Sequence, residues 1–449
     1  MDANRRSVLL AAAAGALSLA LPARSRARIP GANDRLRVAV VGLNGRGSAL
    51  MTAFSQLPGC EVTHLVDVDA QILDKRAGEF AAAGARAPKR ERDYRRLLQG
   101  DAVDALVVAT PDHWHVRASL DALAAGKHVY VEKPLGIAPA EGEALVAAQR
   151  GSGLVVQMGN QQRSSRETRE LLDRVRAGEL GELYEVQTWY ANSRGSIGRG
   201  VEQAPPAHLD WDLWQGPRPR RPYRSNLHPY NWHWFWHWGT GEITNNALHE
   251  IDLARWFLGV EYPERVSARG ARRFFSDDDW EMYDTLRLEL DYPGGRTVSW
   301  DGHSCNGAKR YGRDRGVLLY GTRGSALLDR NGYEVYDLAG RTLHTVAAAK
   351  ASATTNVVGA GELDLLHARN FVETVRGRAG EQHSPVHEGH VSTTLCHLGN
   401  MAYRRAADRS KLSGSGDSLA IDAATGRPRD PAAMRDWRVD YAPGWELPA

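Results

Sequence analysis

Val41-Gly42-Leu43-Asn44-Gly45-Arg46-Gly47 follows the apolar run from Leu36 directly, and a helical pattern opens near Ser48. Glycines between a strand and a helix let the backbone turn sharply and approach a pyrophosphate held at the positive end of the helix. The stretch departs from G-x-G-x-x-G, since Asn44 stands at the middle glycine and Gly45 follows it. Its context strengthens it. The next β-branched run, Glu61 to Val66, ends at Asp67, twenty residues past Gly47. A carboxylate there can accept hydrogen bonds from the adenosine ribose and would repel a 2′-phosphate, which favours NAD over NADP. Asp69, two residues on, is an alternative for the role, and a plain strand end is the other reading of Asp67.

Outward from this loop, short apolar runs at Ala105 to Ala109, His128 to Val131 and Leu154 to Met158 alternate with helical stretches. That alternation predicts a doubly wound parallel sheet, an α/β Rossmann domain over 34–158. Beyond Gly159 the pattern changes. A helix from about Glu167 to Ala177 precedes strands at Leu183 to Tyr190, Arg265 to Arg273, Thr285 to Asp291, Arg296 to Asp301 and Gly316 to Tyr320. Turns such as Tyr292-Pro293-Gly294-Gly295 link them. They predict an α+β domain over 159–405 with a large, mainly antiparallel open sheet, whose free face suggests a homo-oligomer, a dimer or tetramer. Helices are expected at Glu362 to Gly377 and Val386 to Arg405, then an irregular tail over 406–449. A Trp/Pro/His-rich insertion from Asn192 to Thr240 is too long for a simple connection and is expected to be loop-dominated and partly functional.

The chain has 449 residues, 42% apolar and 25% charged, which suits two domains. A formal net charge of +3, with five arginines before residue 29, leaves nothing basic enough for nucleic acid. Asn4-Arg5-Arg6, an Ala/Leu-rich run to Leu21 and Ser25-Arg26-Ala27 read as a signal peptide over 1–27 of twin-arginine type, implying an exported, periplasmic protein with no stable membrane insertion after cleavage. Cys60, Cys305 and Cys396 are too scattered for a disulfide framework or a cysteine zinc site. His233 and His237 lack a third ligand at diagnostic spacing, so no metal is expected.

Two segments fall at the carboxyl ends of parallel strands, where ligands bind: Ala109-Thr110-Pro111-Asp112-His113-Trp114-His115 and Val131-Glu132-Lys133-Pro134-Leu135. With the Gly42 to Gly47 loop they resemble the Gfo/Idh/MocA family of sugar and inositol dehydrogenases, over about Arg35 to Arg405. The resemblance implies that Gly42, Asn44, Gly45, Arg46, Gly47, Asp67, Thr110, Pro111, His115, Glu132, Lys133 and Gln161 surround the cofactor. It further implies that Lys133 positions and polarises the substrate hydroxyl or carbonyl. Physically, a partly desolvated ammonium loses proton affinity and can stabilise a developing alkoxide.

In Gly241-Glu242-Ile243-Thr244-Asn245-Asn246-Ala247-Leu248-His249-Glu250-Ile251-Asp252, helical spacing brings Asn245, His249 and Asp252 near one face. The resemblance makes His249 the proton acceptor. Asn245 stands where the family carries an acid, so it can bind substrate but cannot share the proton. Asp252 reads as a substrate contact, an orienter or a helix-packing group. Gly159-Asn160-Gln161-Gln162-Arg163 matches a family segment that approaches the substrate, where Arg163 either meets hydroxyls or forms a domain-interface ion pair. Among Trp232, Trp234, Phe235, Trp236 and Trp238, core or interface packing suits most rings, and Trp236 is the candidate to stack on a sugar. The implied activity is hydride transfer to or from a carbohydrate or polyol. The alternative, with the same residues, is a glycosidase that keeps NAD tightly bound and oxidises, eliminates and reduces in turn.

Overall fold

The computed structural model describes residues 35–82, 87–348, 361–405 and 417–447. The expected signal peptide and part of the expected tail lie outside them. No described helix is long and apolar enough to cross a membrane.

The amino-terminal sheet contains β1 (Leu36–Val41), β2 (Cys60–Val66), β3 (Lys89–Glu91), β4 (Ala105–Val108), β5 (His128–Val131) and β6 (Val156–Met158), in the order β3-β2-β1-β4-β5-β6 with every pairing parallel. The helices α1 (Gly45–Ser55), α2 (Ala70–Ala82), α3 (Asp112–Ala124) and α4 (Pro139–Ser152) form its crossovers. The central strands are buried on both faces, which is why they read as unbroken apolar runs. The edge strand β3, Lys-Arg-Glu, has no such signature and is not legible in the sequence.

The second sheet has ten strands. In chain order they are β7 (Leu183–Ala191), β8 (Arg265–Ala271), β9 (Thr285–Tyr292), β10 (Arg296–His303), β11 (Arg315–Gly321), β12 (Gly324–Asp329), β13 (Gly332–Tyr336), β14 (Thr342–Ala347), β15 (Asp417–Asp422) and β16 (Arg427–Pro428). Their order is β14-β13-β12-β11-β7-β10-β9-β8-β15-β16, antiparallel except for β7 beside β10. Along β9 the buried Leu286, Leu288 and Leu290 alternate with Arg287 and Glu289, so one face is core. The tail expected to be irregular returns instead as β15, whose Leu419 and Ile421 are buried and whose backbone pairs with β8.

The remaining helices are α5 (Arg166–Arg176), the short α6 (Trp211–Gln215), α7 (Leu248–Leu258), α8 (Glu362–Val375) and α9 (Val386–Arg405). Helix α8 packs against the Rossmann sheet, where Phe371 meets Phe54 and Tyr130 edge-on. Buried residues of α3, α4, α7, α9 and the inner face of the large sheet form one continuous core.

Arg163 lies within that junction. Its guanidinium grips Asp252 of α7 through Nε at 2.7 Å and Nη2 at 2.9 Å, and it reaches Glu388 of α9 at 3.1 Å. Ser392 donates to Asp252 at 2.6 Å, and Arg255 donates to Glu388 at 2.7 Å. Of the roles open to Arg163 and Asp252, the structure has the internal ion pair and not the substrate contact, both side chains being at most 3% exposed. Removing one partner strands a buried charge, whereas replacing both by apolar groups of similar volume does not. Asp252→Ala should lose about 3 kcal/mol in urea unfolding, and Arg163→Met/Asp252→Leu should recover most of it.

Candidate functional site

The tips of β1, β2, β4 and β5 open into a cleft of about 620 Å³ whose far wall comes from the large-sheet domain and the 192–240 insertion. That volume suits a small molecule with a few convergent polar groups.

At its floor Gly42 adopts φ +82°, and a Cβ there would lie 2.6 Å from the Ala109 carbonyl oxygen. A Cβ on Gly47 would sit 1.7 Å from the Gly42 carbonyl oxygen, so this glycine lets α1 close on its own loop. Nothing lies within 4 Å of a Cβ placed on Gly45. Asn44 makes no side-chain cap to α1. The Thr110 hydroxyl, at the tip of β4, is buried without a hydrogen-bond partner. Asp67, at the tip of β2, accepts from Leu43 N–H at 2.7 Å and from Asp69 N–H at 2.9 Å. Burial pushes its carboxyl up to about 6 against those bonds. A glycine cradle, an orphaned hydroxyl and a carboxylate at the second strand tip fit a dinucleotide's pyrophosphate and ribose.

Other expected cofactor residues line the cleft but bind one another. Glu132 accepts from Arg46 Nε at 2.7 Å and from Gln161 at 2.9 Å, while Arg46 also reaches Asp364 of α8 at 2.6 Å. The two ring nitrogens of His115 face the carbonyl oxygens of Pro134 and Thr110 at 2.8 and 2.9 Å, tying the two strand tips together. Pro111 caps α3 at the same rim.

Lys133 and His249 both line this cleft. The Lys133–Pro134 peptide is cis. Lys133 Nζ donates to the main-chain oxygen of Asn245 at 2.6 Å and lies 3.4 Å from its side-chain oxygen. A turn of π-helix, Ile243–Ala247, precedes α7, so the segment is not the regular helix its spacing suggests. Asn245 and His249 both reach the cleft, while Asp252, the expected third member, turns to Arg163. Burial lowers the Lys133 ammonium against the pull of Asp112 and Glu132. Burial, with Arg330 and Lys133 nearby, drives His249 well below its ordinary value, so its ring is neutral.

Trp236, the expected sugar platform, lies outside the cleft with Arg404 over its ring at 5.2 Å. The aromatic stretch instead builds a cluster in which Trp211, Trp214 and Trp238 pack at 4.7 to 5.6 Å. Only Trp232 and His233 of the 232–238 run reach the cleft. His233 Nδ1 donates to the Tyr230 carbonyl at 2.6 Å, leaving Nε2 with its lone pair. The insertion also crosses the cofactor end. Ala70 N–H donates to His208 O at 2.9 Å, Asp210 N–H to Val68 O at 3.0 Å, and the His208 ring meets Asp69 at 2.9 Å.

Sequence reasoning passes over Asp112, Arg194, Glu242, Arg315 and Arg330. Asp112 lines the cleft and accepts from Thr240 at 3.0 Å. Glu242, 1% exposed, takes Arg194 at 2.8 Å and the amides of Asn245 and Asn246. Asp112 and Glu242 sit inside stretches that the motifs already mark. Arg315 and Arg330 carry no local signal and reach the cleft only through the sheet. Among the described residues no group of three or more His, Cys, Asp or Glu side chains is placed to hold a metal.

Lys133 and His249, from separate parts of the chain, share one cleft with the tips of the Rossmann sheet. The chain belongs to the Gfo/Idh/MocA family: residues 36–160 match its oxidoreductase, NAD-binding Rossmann model and residues 168–327 its C-terminal domain model. A glycosyl hydrolase family 109 protein of Shewanella pealeana is 31% identical over 212 residues, 42% of this chain and 46% of that protein. A 4-carboxy-2-hydroxymuconate-6-semialdehyde dehydrogenase of Sphingobium is 26% identical over 177 residues, 39% of this chain and 55% of that one. The chain thus spans about half the length of such relatives. Two solved structures share the fold. The WlbA dehydrogenase of Bordetella pertussis, in complex with NADH and UDP-GlcNAcA, has a TM-score of 0.61 at 20% identity, covering 86% of this chain and all of that one. The aldose-aldose oxidoreductase of Caulobacter crescentus has a TM-score of 0.61 at 20% identity, covering 83% and 98%.

The glycine loop supplies a test with two separable readouts. Gly45→Ala should leave the thermal midpoint unchanged but weaken NADH binding about tenfold or more in a fluorescence titration, because a Cβ there meets no protein atom and would project into the cleft that the glycine loop lines. Gly47→Ala should lower the midpoint as well.

Proposed function

We propose that the protein transfers a hydride between NAD(H) and a ring carbon of a sugar, glycoside or cyclitol. The observation that carries this reading is the Lys133 ammonium held on Asn245 in the same cleft as a neutral His249. Bound NAD would supply the acceptor or donor of the hydride. Asp67 supports NAD over NADP, since a carboxylate there accepts from ribose hydroxyls and repels a 2′-phosphate. His249 takes the hydroxyl proton as the carbonyl forms, and Lys133 donates a hydrogen bond to the oxygen as its charge develops. Asn245 fixes the ammonium and, being an amide, leaves the proton to His249.

A second reading has specific support: a glycosidase that oxidises a ring hydroxyl, eliminates the aglycone and reduces the ring again. The insertion bonded over the β2 tip favours a retained cofactor, as such a cycle requires. His233 lines the cleft with Nδ1 held on the Tyr230 carbonyl, and its other ring nitrogen is the group we propose as the second base that elimination needs. Similarity to a glycosyl hydrolase family 109 protein points the same way. A retained cofactor also suits the twin-arginine-type leader read from Arg5 and Arg6, which we take as a sign of export to the periplasm. Aglycone release without net NADH would select this reading; stoichiometric NADH would select the dehydrogenase.

Both readings expect Lys133→Ala and His249→Ala to lower kcat by about 10²- to 10⁴-fold with nucleotide binding retained. The pH profile checks the base. His249 acts unprotonated, and its depressed pKa keeps it so in acid, so the acidic limb of kcat/KM should fall below pH 6.5. A limb above that value would contradict the assignment.

A further inference from the structure

Glu242 immediately precedes the π-turn Ile243–Ala247, is 1% exposed and does not line the cleft. Its carboxylate nonetheless gathers the groups that stand behind Lys133. Oε1 accepts from the side-chain amides of Asn245, at 3.2 Å, and of Asn246, three and four residues on, where side chains of one helical face meet. Oε2 takes Arg194 Nε at 2.8 Å, and Oε1 takes its Nη2 at 3.3 Å. Burial works against this charge, but Arg194 and the Asn246 amide hold the carboxyl below its ordinary value. Ionised, it accepts hydrogen bonds and donates none.

The Asn245 amide is thereby oriented. A carboxylate only accepts and an ammonium only donates, so an amide between them has one favourable setting, Nδ2 toward Glu242 and Oδ1 toward Lys133. That is the setting found, with Oδ1 3.4 Å from Lys133 Nζ and the main-chain oxygen of the same residue at 2.6 Å. Turned over, the amide would set oxygen against carboxylate and NH₂ against ammonium. The charge of Glu242 acts in the same direction: burial lowers the Lys133 ammonium, Asp112, Glu132 and Glu242 pull it back up, and Arg315 opposes them.

We propose that Glu242 is a positioning residue for the hydride transfer, one that orients the Asn245 amide and, through it, the Lys133 ammonium. This rests on the reading of the cleft as an oxidoreductase site in which Lys133 is the hydrogen-bond donor. The negative charge that steadies the lysine stands behind the cleft wall, so it holds the ammonium without competing with His249 for the hydroxyl proton.

The test reads Lys133 itself and needs no substrate. Protein carrying isotope-labelled lysine is loaded with NAD and titrated by NMR, the Lys133 signal being the one missing from Lys133→Arg. Neighbouring groups keep their charge over that range, because burial drives His249 well below its ordinary value and His233 down to about 3, and holds the Cys396 thiol well above its own. Glu242→Gln should lower the Lys133 midpoint by about half a pH unit or more, with nucleotide content unchanged. In an Asn245→Ala background the same substitution should move it less than about half as far, since the coupling runs through the amide. Should the stranded Arg194 unfold Glu242→Gln, Arg194→Gln/Glu242→Gln removes both buried charges together and should show the same shift. A Lys133 midpoint that stays put in the folded variant, or a full shift that persists with Asn245→Ala, overturns the proposal. Nucleotide content of the same samples separates the failures: protein that takes up no NAD defeats the oxidoreductase reading, whereas loaded protein with an unmoved Lys133 defeats this inference alone.

Discussion

The ammonium of Lys133 rests on the main-chain oxygen of Asn245 at 2.6 Å, and that contact joins the end of the fifth Rossmann strand to the π-turn that starts α7. Neither half of the molecule makes the site alone. The Rossmann tips provide the glycine cradle, Asp67 and Lys133; the second domain provides Asn245 and His249. Partial burial gives the arrangement its chemistry, because desolvation weakens the lysine's hold on its proton and keeps the imidazole neutral. An ammonium poised to donate and an imidazole poised to accept are the two proton roles that oxidation of an alcohol requires.

A short contact of this kind persists only if its two supports do not drift. Arg163, Asp252, Glu388, Arg255 and Ser392 form a buried hydrogen-bonded set at the junction, and α8 returns to pack Phe371 on the Rossmann sheet. Such a set fixes a single arrangement more than it adds net stability. The loop after β6 serves both ends of this design: Gln161 bonds Glu132 in the cleft wall, and two residues later Arg163 turns into the core.

Much of the fold is legible in the residues. The strands β1, β4 and β5 are largely buried on both faces and cannot avoid apolar runs, and β9 shows the alternation that a one-sided sheet imposes. Strand β3 is an exposed edge with no pattern to display, and the short alternation of Leu419 and Ile421 in β15 is obscured by the Gly/Ser-rich stretch before it. In the site, the glycine loop, Asp67, Lys133 and His249 sit in motifs whose spacing reflects backbone geometry. Arg163 and Asp252 show the limit of such reasoning, because an arginine in a matched segment has the same letter whether it faces a ligand or a carboxylate. Trp236 fails as a platform for a similar reason: aromatic density marks a packed cluster, and which ring faces a cavity depends on the route of a long insertion. Arg315 and Arg330 were invisible because only the sheet's connections bring them to the cleft.

The central claim is that carbon-bound hydrogen passes to the nicotinamide between Lys133 and His249. Its most direct test is a single turnover of the NAD-loaded protein with a sugar deuterated at every ring carbon, followed by mass spectrometry of the nucleotide. The account predicts that the nucleotide gains one deuterium, and that Lys133→Ala loses the transfer while still holding NAD. An oxidised sugar that forms while the nucleotide remains unlabelled would contradict it.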